Sequence, residues 1–212
     1  MNDMKRRIFT WIGLLLFALG ASMPVQAQQT EAEIKAHINR VAQSLKTLQC
    51  DFVQTKHLKM LGEAMVSKGC MAYAQPDKLS WQYTSPYSYT FILNDNQVLL
   101  RNAHRNDVID VKQNKMFKEI ARIMMNSVVG RCLTDERDFR TTIRTEKSEW
   151  VATLTPLKKE MRQMFTTIVL HFDRQQSVVT QVELKEKNGD RTIIELRHIK
   201  TNQAVAADVF KI

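Results

Sequence analysis

Several kinds of chemistry have no footing in this sequence. No glycine-rich phosphate loop occurs, so nothing marks a nucleotide or dinucleotide site. There is no G-x-S-x-G elbow. The histidines, at 37, 57, 104, 171 and 198, form no H-E-x-x-H and no metal-ligand spacing. The cysteines, Cys50, Cys70 and Cys132, include no C-x-x-C pair, which removes zinc-ribbon and thioredoxin-type motifs. The remaining acid–base pairs do not convince. His171 and Asp173 flank apolar Phe172 and read as a solvated strand face, and the odd spacing of Asp107 and Asp110 puts them on opposite faces. Glu31 and Glu33 belong to a helix start, where the dipole favours acids. The sequence therefore reads as a non-enzyme with no resident metal or cofactor.

Long apolar runs are also missing, apart from one near the start. Lys5, Arg6 and Arg7 precede the apolar run from Ile8 to Ala21, and Val25-Gln26-Ala27 is a small-x-small site. This is the three-part pattern of a secretory leader cleaved after Ala27. The alternative, a membrane anchor, requires about 20 apolar residues, more than this run supplies. No Cys follows to take a lipid. Residues 28–212 are then expected to form one exported domain of 185 residues. Losing Lys5, Arg6, Arg7 and Asp3 lowers the formal net charge from +9 to +7, with 28 basic and 21 acidic residues left. In an exported protein that excess suits lipid headgroups or an acidic partner rather than nucleic acid; a generally solvated basic surface is the plain alternative.

Thr30 and Glu33 form a capping box, and Ile34, Ile38, Val41, Leu45 and Leu48 recur at helical spacing, predicting a helix to about Thr47. The period then changes to two. "DFVQTKHLKM" and "AMVSKGCMAYA" read as strands turning near Met60, followed by runs around Trp81, Tyr89, Leu99 and Val108. With that turn, Cys50 and Cys70 lie opposite each other, and an exported setting allows a disulfide between them. Cys132 is then a buried free thiol. "NKMFKEIARIMMNSVVGRC" predicts a second, methionine-rich helix that Gly130 can end. Five further strands follow, with "LKKEMRQM" as a loop or short helix and Asn188-Gly189-Asp190 as a tight hairpin. Ile168, Leu170 and Phe172 share one face, as do Val178, Val182 and Leu184, and Ile194 and Leu196. About ten or eleven short-linked strands predict an antiparallel sheet that must curl. The expected fold is mainly β with α: an incomplete, open antiparallel barrel whose concave face is covered by helices.

"PDKLSWQYTSPYSYTFILND" places Trp81, Tyr83, Tyr89 and Phe91 on two adjoining strands. Ordinary core packing is one reading. The other is the lining of an apolar cavity, which suits a chain of mean hydropathy −0.31 that gathers its aromatics on one strand pair beside a helix rich in adaptable methionine.

"DFVQTK" at 51–56, followed by "GEAMVSKGCMAYAQPDKLSWQYTSPYSYTFILND" at 62–95, resembles the N-terminal half of the outer-membrane lipoprotein carrier family (LolA-like). Phe52, Gln54, Gly69, Pro76, Trp81, Ser85, Pro86 and Tyr89 stand where the family pattern wants them. The final "AADVFKI" also fits. The resemblance implies a monomeric periplasmic carrier that takes lipoprotein acyl chains from inner to outer membrane. An inner-membrane ABC lipoprotein-releasing transporter would load it, and an outer-membrane receptor or the membrane itself would accept the cargo. It implies that Phe52, Leu79, Trp81 and Phe91 line the acyl-chain cavity. Tyr83, Leu93, Ile168, Leu170 and Phe172 complete the candidate lining, and Phe117, Ile120, Ile123, Met124 and Met125 form a lid. One departure stands out: Ala74-Gln75-Pro76 has no Arg where many carriers place one to latch the lid. The rivals are a lipid- or glycolipid-binding or envelope-sensing protein of the same fold, and a scaffold whose aromatics are plain core.

Overall fold

The computed structural model describes residues 29–112, 123, 125–127, 129–134 and 137–212. The expected leader and the candidate lid residues Phe117, Ile120 and Met124 lie outside these. Helix α1 runs Glu31–Ser44 under the expected cap: Glu33 N donates to Thr30 Oγ1 at 3.3 Å, and Thr30 N donates to Glu33 Oε2 at 2.8 Å. These bonds hold the Glu33 carboxyl below its usual range. α1 buries Ile34, Ile38 and Ala42, and Leu45 caps its end in extended conformation. The helix stops short of Thr47 because Leu48, Cys50 and Phe52 already alternate with more exposed neighbours in the first strand.

The strands are β1 (Thr47–Leu58), β2 (Glu63–Ala74), β3 (Lys78–Ser85), β4 (Tyr89–Asn94), β5 (Gln97–Asn102) and β6 (Asn106–Asp110), then β7 (Phe139–Glu146), β8 (Glu149–Pro156), β9 (Phe165–Asp173), β10 (Val179–Glu186) and β11 (Arg191–Thr201). Short helix α2 (Lys159–Met164) joins β8 to β9. All the strands belong to one 11-stranded sheet in the order β6-β5-β4-β3-β2-β1-β11-β10-β9-β8-β7. Every pairing is antiparallel, and each joins neighbours in sequence apart from the β1–β11 seam. β6 and β7 are the free edges, so this is the expected open barrel. Because the strands alternate in direction, the β1–β2, β3–β4, β5–β6 and β10–β11 turns and α2 gather at one end, here called the hairpin end. The entry from α1 and the β2–β3, β7–β8 and β9–β10 turns lie at the other.

The concave face and α1 form a single buried cluster that includes Ile34, Ile38, Phe52, Leu79, Trp81, Phe91, Leu170 and Phe172. Residues 123, 125–127 and 129 are helical. They end at Gly130, whose φ of +78° suits glycine and where an added Cβ would lie 2.9 Å from the Phe172 ring and 3.2 Å from Ile38. Gly69 has a different reason. It sits directly opposite Phe52, and an added Cβ would lie 1.9 Å from the Gln82 carbonyl oxygen and 2.6 Å from Phe52 Cζ. The missing side chain lets the Phe52 ring lie flat on the sheet, where its centroid is 4.5 Å from that of Trp81 and 5.1 Å from that of Tyr83.

The expected Cys50–Cys70 disulfide is not formed, and all three thiols are free. The turn places Cys50 opposite Met71 and Cys70 opposite Asp51. One residue of offset sends the two side chains to opposite faces: Cys50 is buried and Cys70 exposed. Burial, with Asp51 adding repulsion, pushes the Cys50 thiol up to about 12.

Two outcomes follow. Gly69→Ala forces Phe52 and the β2–β3 ladder apart and should lower stability by about 2 kcal/mol or more, read by urea unfolding. Thiol titration of the oxidised, purified protein should find Cys70 reactive when native and three thiols only after unfolding; a Cys50–Cys70 crosslink in a peptide map would contradict this register.

Candidate functional site

The trough is not evenly filled. Toward the hairpin end, beyond the residues α1 covers, lies a cavity of about 270 Å³. One wall is Trp81 and Tyr83 of β3 with Gln54 of β1. The facing wall is Phe165 and Ile168 of β9, Val182 and Leu184 of β10, and Ile194 of β11. Met161 and Met164 of α2 and the helical residues Ile123 and Ser127 complete it. The deep residues, such as Trp81, Ile168 and Val182, are buried, while Tyr83, Leu184 and Met164 nearer the turns are more exposed. The cavity therefore opens toward the hairpin end.

The few polar atoms in the walls are turned on one another. Tyr83 Oη donates to Gln54 Oε1 at 3.0 Å, and the Trp81 indole N–H lies beside Tyr83 without completing a hydrogen bond among the described residues. Burial raises the Tyr83 phenol above its ordinary value, partly offset by Trp81 and Gln54. No Asp, Glu, Lys, Arg or His lines the cavity among the described residues. Such walls offer apolar surface and nothing to hold a proton, a metal or a charged headgroup at depth. Three larger hollows, of about 420, 430 and 300 Å³, have charged or polar groups in their walls: Arg101, Asp208 and Lys211 in the first, His37, Ser148 and Arg174 in the second, and Asp51, His198 and Lys200 in the third. Chemistry rather than size singles out the cavity inside the trough. His171 and Asp173 do not form an acid–base pair. His171 Nδ1 meets Glu149 at 2.9 Å, while Asp173 accepts from the Gln175 and Gln176 amides in a turn.

Of the candidate residues, the structure brings Trp81, Tyr83, Ile168 and Ile123 together on the cavity wall. Phe52 is the buried platform beneath Trp81 and Tyr83. Leu79, Phe91, Leu93, Leu170 and Phe172 are fully enclosed in the core cluster, and Met125 is partly buried against it. Sequence reasoning missed Met161, Met164 and Phe165, which sit in or beside a stretch that reads as a loop or short helix and is a helix in the structure. It also missed the facing wall of Val182, Leu184 and Ile194, whose shared faces were visible in the period-two pattern.

The departure at Gln75 has a structural counterpart. The Gln75 amide donates to the Gln43 carbonyl of α1 at 3.2 Å. A cation reaches the same helix end from the other side: Arg131 Nη2 meets the Ala42 carbonyl at 3.4 Å, and its guanidinium lies beside buried Tyr73. α1 has no basic residue in its own last turn, so Arg131 supplies the positive charge that the C-terminal carbonyls favour. Arg131 follows the helical residues 123, 125–127 and 129, whereas Gln75 lies one residue past the end of β2.

A curled antiparallel sheet around an apolar hollow, covered by helices of its own chain, is the fold of a lipid-binding carrier. The family described as outer membrane lipoprotein carrier protein LolA matches residues 43–212, and the chain belongs to that family. An outer-membrane lipoprotein carrier protein from Chromobacterium violaceum is 24% identical over 204 residues, covering 93% of this chain and 89% of that one. The protein of the same name from Legionella pneumophila is 25% identical over 184 residues, covering 86% and 85%. An uncharacterized conserved protein from Thermus thermophilus shares the fold, with a TM-score of 0.54 at 8% identity over 87% of this chain and 94% of that one.

Replacing the charge while keeping a hydrogen-bonding group, Arg131→Gln should loosen the segment against α1. A fluorescent fatty acid should then associate several-fold faster in stopped flow, with the melting temperature little changed; an unaltered rate would separate Arg131 from cavity access.

Proposed function

We propose that the chain, exported with its leader removed after Ala27, is a periplasmic carrier. It takes up the acyl chains of lipoproteins and moves them from the inner to the outer membrane. It is a binding protein and not an enzyme, and it works as one domain, 28–212, and as a monomer. The observation that carries this reading is the cavity of about 270 Å³ with apolar walls under a cover supplied by the same chain. The family, and the names of the relatives, support the cargo class.

The energetics set how it must work. Each buried methylene contributes about 0.8 kcal/mol, so an acyl chain cannot cross water uncovered. At roughly 30 Å³ for a water-sized group, the cavity holds about nine methylenes, less than one long acyl chain. Loading therefore requires the cover to move and the walls to part. Bilayer and carrier offer the chain similar surroundings, so net transfer lies near zero and is tuned by the packing of the cover. No nucleotide loop is present in the sequence. The energy for loading comes from a partner, which the family resemblance suggests is an inner-membrane ABC lipoprotein-releasing transporter. An outer-membrane receptor or the membrane itself accepts the cargo.

Protein isolated gently from the periplasm should carry acylated species in native mass spectra. A synthetic lipopeptide should displace a fluorescent fatty acid from it. Leu184→Glu, at the rim, should weaken probe binding at least about tenfold with the fold retained, and Met164→Glu, more exposed still, gives a second variant that does not burden the core. Absence of lipid from the isolated protein together with no probe binding would remove the carrier reading.

A further inference from the structure

The described residues expose eight large apolar side chains, and none belongs to a turn at the end where α1 enters. Met60 and Leu61 form the tip of the β1–β2 hairpin, 95% and 67% exposed, and Met65 and Val66 follow just behind. Tyr87 stands on the β3–β4 turn, and Met164 ends α2. The remaining two, Val108 and Leu157, lie near the β5–β6 turn and in the α2 connection at this same end. Met164 also lines the cavity, so the apolar rim and the cavity mouth are continuous.

The tip is built rather than loose. Lys59 N donates to Asp190 Oδ1 at 3.0 Å, tying the β1–β2 turn to the β10–β11 turn. The Lys59 stem lies over Gly189, where an added Cβ would come 2.4 Å from Lys59 Cδ. Charge is sorted around it. Glu183, Glu186 and Asp190 are taken up by Arg191, Lys185 and Lys56. Lys59, Lys68, Lys159, Arg162 and Lys187 have no carboxylate partner among the described residues, and the exposed carboxylates left at this end are Glu63 and Glu160.

We propose that the hairpin end docks on an anionic phospholipid bilayer. Met60 and Leu61 enter the interface, and the unpaired cations face the headgroups. A protruding convex tip of methionine and leucine ringed by lysine suits a deformable lipid surface better than a groove-and-knob protein contact. Docking places the cavity mouth against hydrocarbon, so an acyl chain passes between bilayer and cavity without meeting water. This deepens the carrier reading, on which it rests, by naming the surface at which exchange occurs.

The test is co-sedimentation with vesicles of phosphatidylethanolamine and phosphatidylglycerol, and with vesicles of phosphatidylcholine alone. The protein should bind the anionic vesicles preferentially, and binding should weaken with salt. The double variant Met60→Glu/Leu61→Glu should bind them at least about tenfold less, with unchanged fatty-acid-probe affinity and melting temperature, because neither residue lines the cavity. Equal vesicle binding by the double variant overturns the docking surface, as does failure of the unaltered protein to bind anionic vesicles while it still binds the probe. Intact vesicle binding by the double variant with lost hand-off to a protein acceptor overturns it in favour of a protein partner. Vesicle binding without probe binding upholds the surface and removes the cavity reading alone.

Discussion

An antiparallel sheet with one apolar face must have that face covered, and here the sheet is too wide for a single helix to cover. Eleven strands in one continuous ladder curl under their own twist, and the concave side collects the side chains that period-two patterning turns inward. α1, 14 residues long, lies over the side of the trough where Trp150 and Phe172 are enclosed. Beyond it, among the described residues, the cover comes from the helical residues Ile123 and Ser127 and from one short helix, and the cavity lies beneath them.

The same geometry separates packing from binding along one continuous apolar surface. Where α1 meets the sheet, Gly130 is wedged against Phe172 and Ile38, and there is no room to spare. Toward the hairpins, the covering side chains are Met161, Met164 and Ile123. Methionine is unbranched and adapts to irregular partners, which suits a cover that must close over nothing and over cargo alike. Gly69 contributes from below. By leaving room for Phe52, it lets Trp81 and Tyr83 stand on a rigid aromatic base, so one wall is firm while the cover is not.

Much of this architecture was legible in the sequence because it depends on local rules. The Thr30–Glu33 cap, the turn at Asn188-Gly189-Asp190, the helix end at Gly130 and the strand periods each follow from a few neighbouring residues. The extent of the cavity does not. Trp81 and Phe91 are cross-strand partners with the same pattern, yet only Trp81 lines the hollow. The difference lies in what each ring meets across the trough once the chain is folded, a tertiary fact. Met161 and Met164 escaped notice because a six-residue helix has too few turns to show a stripe. The cysteine pair failed on register, since a shift of one residue in the β1–β2 hairpin reverses which face a thiol occupies.

The order of the strands carries one more implication. Among the described residues no ladder joins β6 to β7, so the two sheet margins meet through the chain between residues 110 and 139 and not by edge-to-edge pairing. A closed barrel has a girth set by its hydrogen bonds. This one, with no rung between its margins among the described strands, can splay like a cupped hand and widen for a bulkier guest without breaking one.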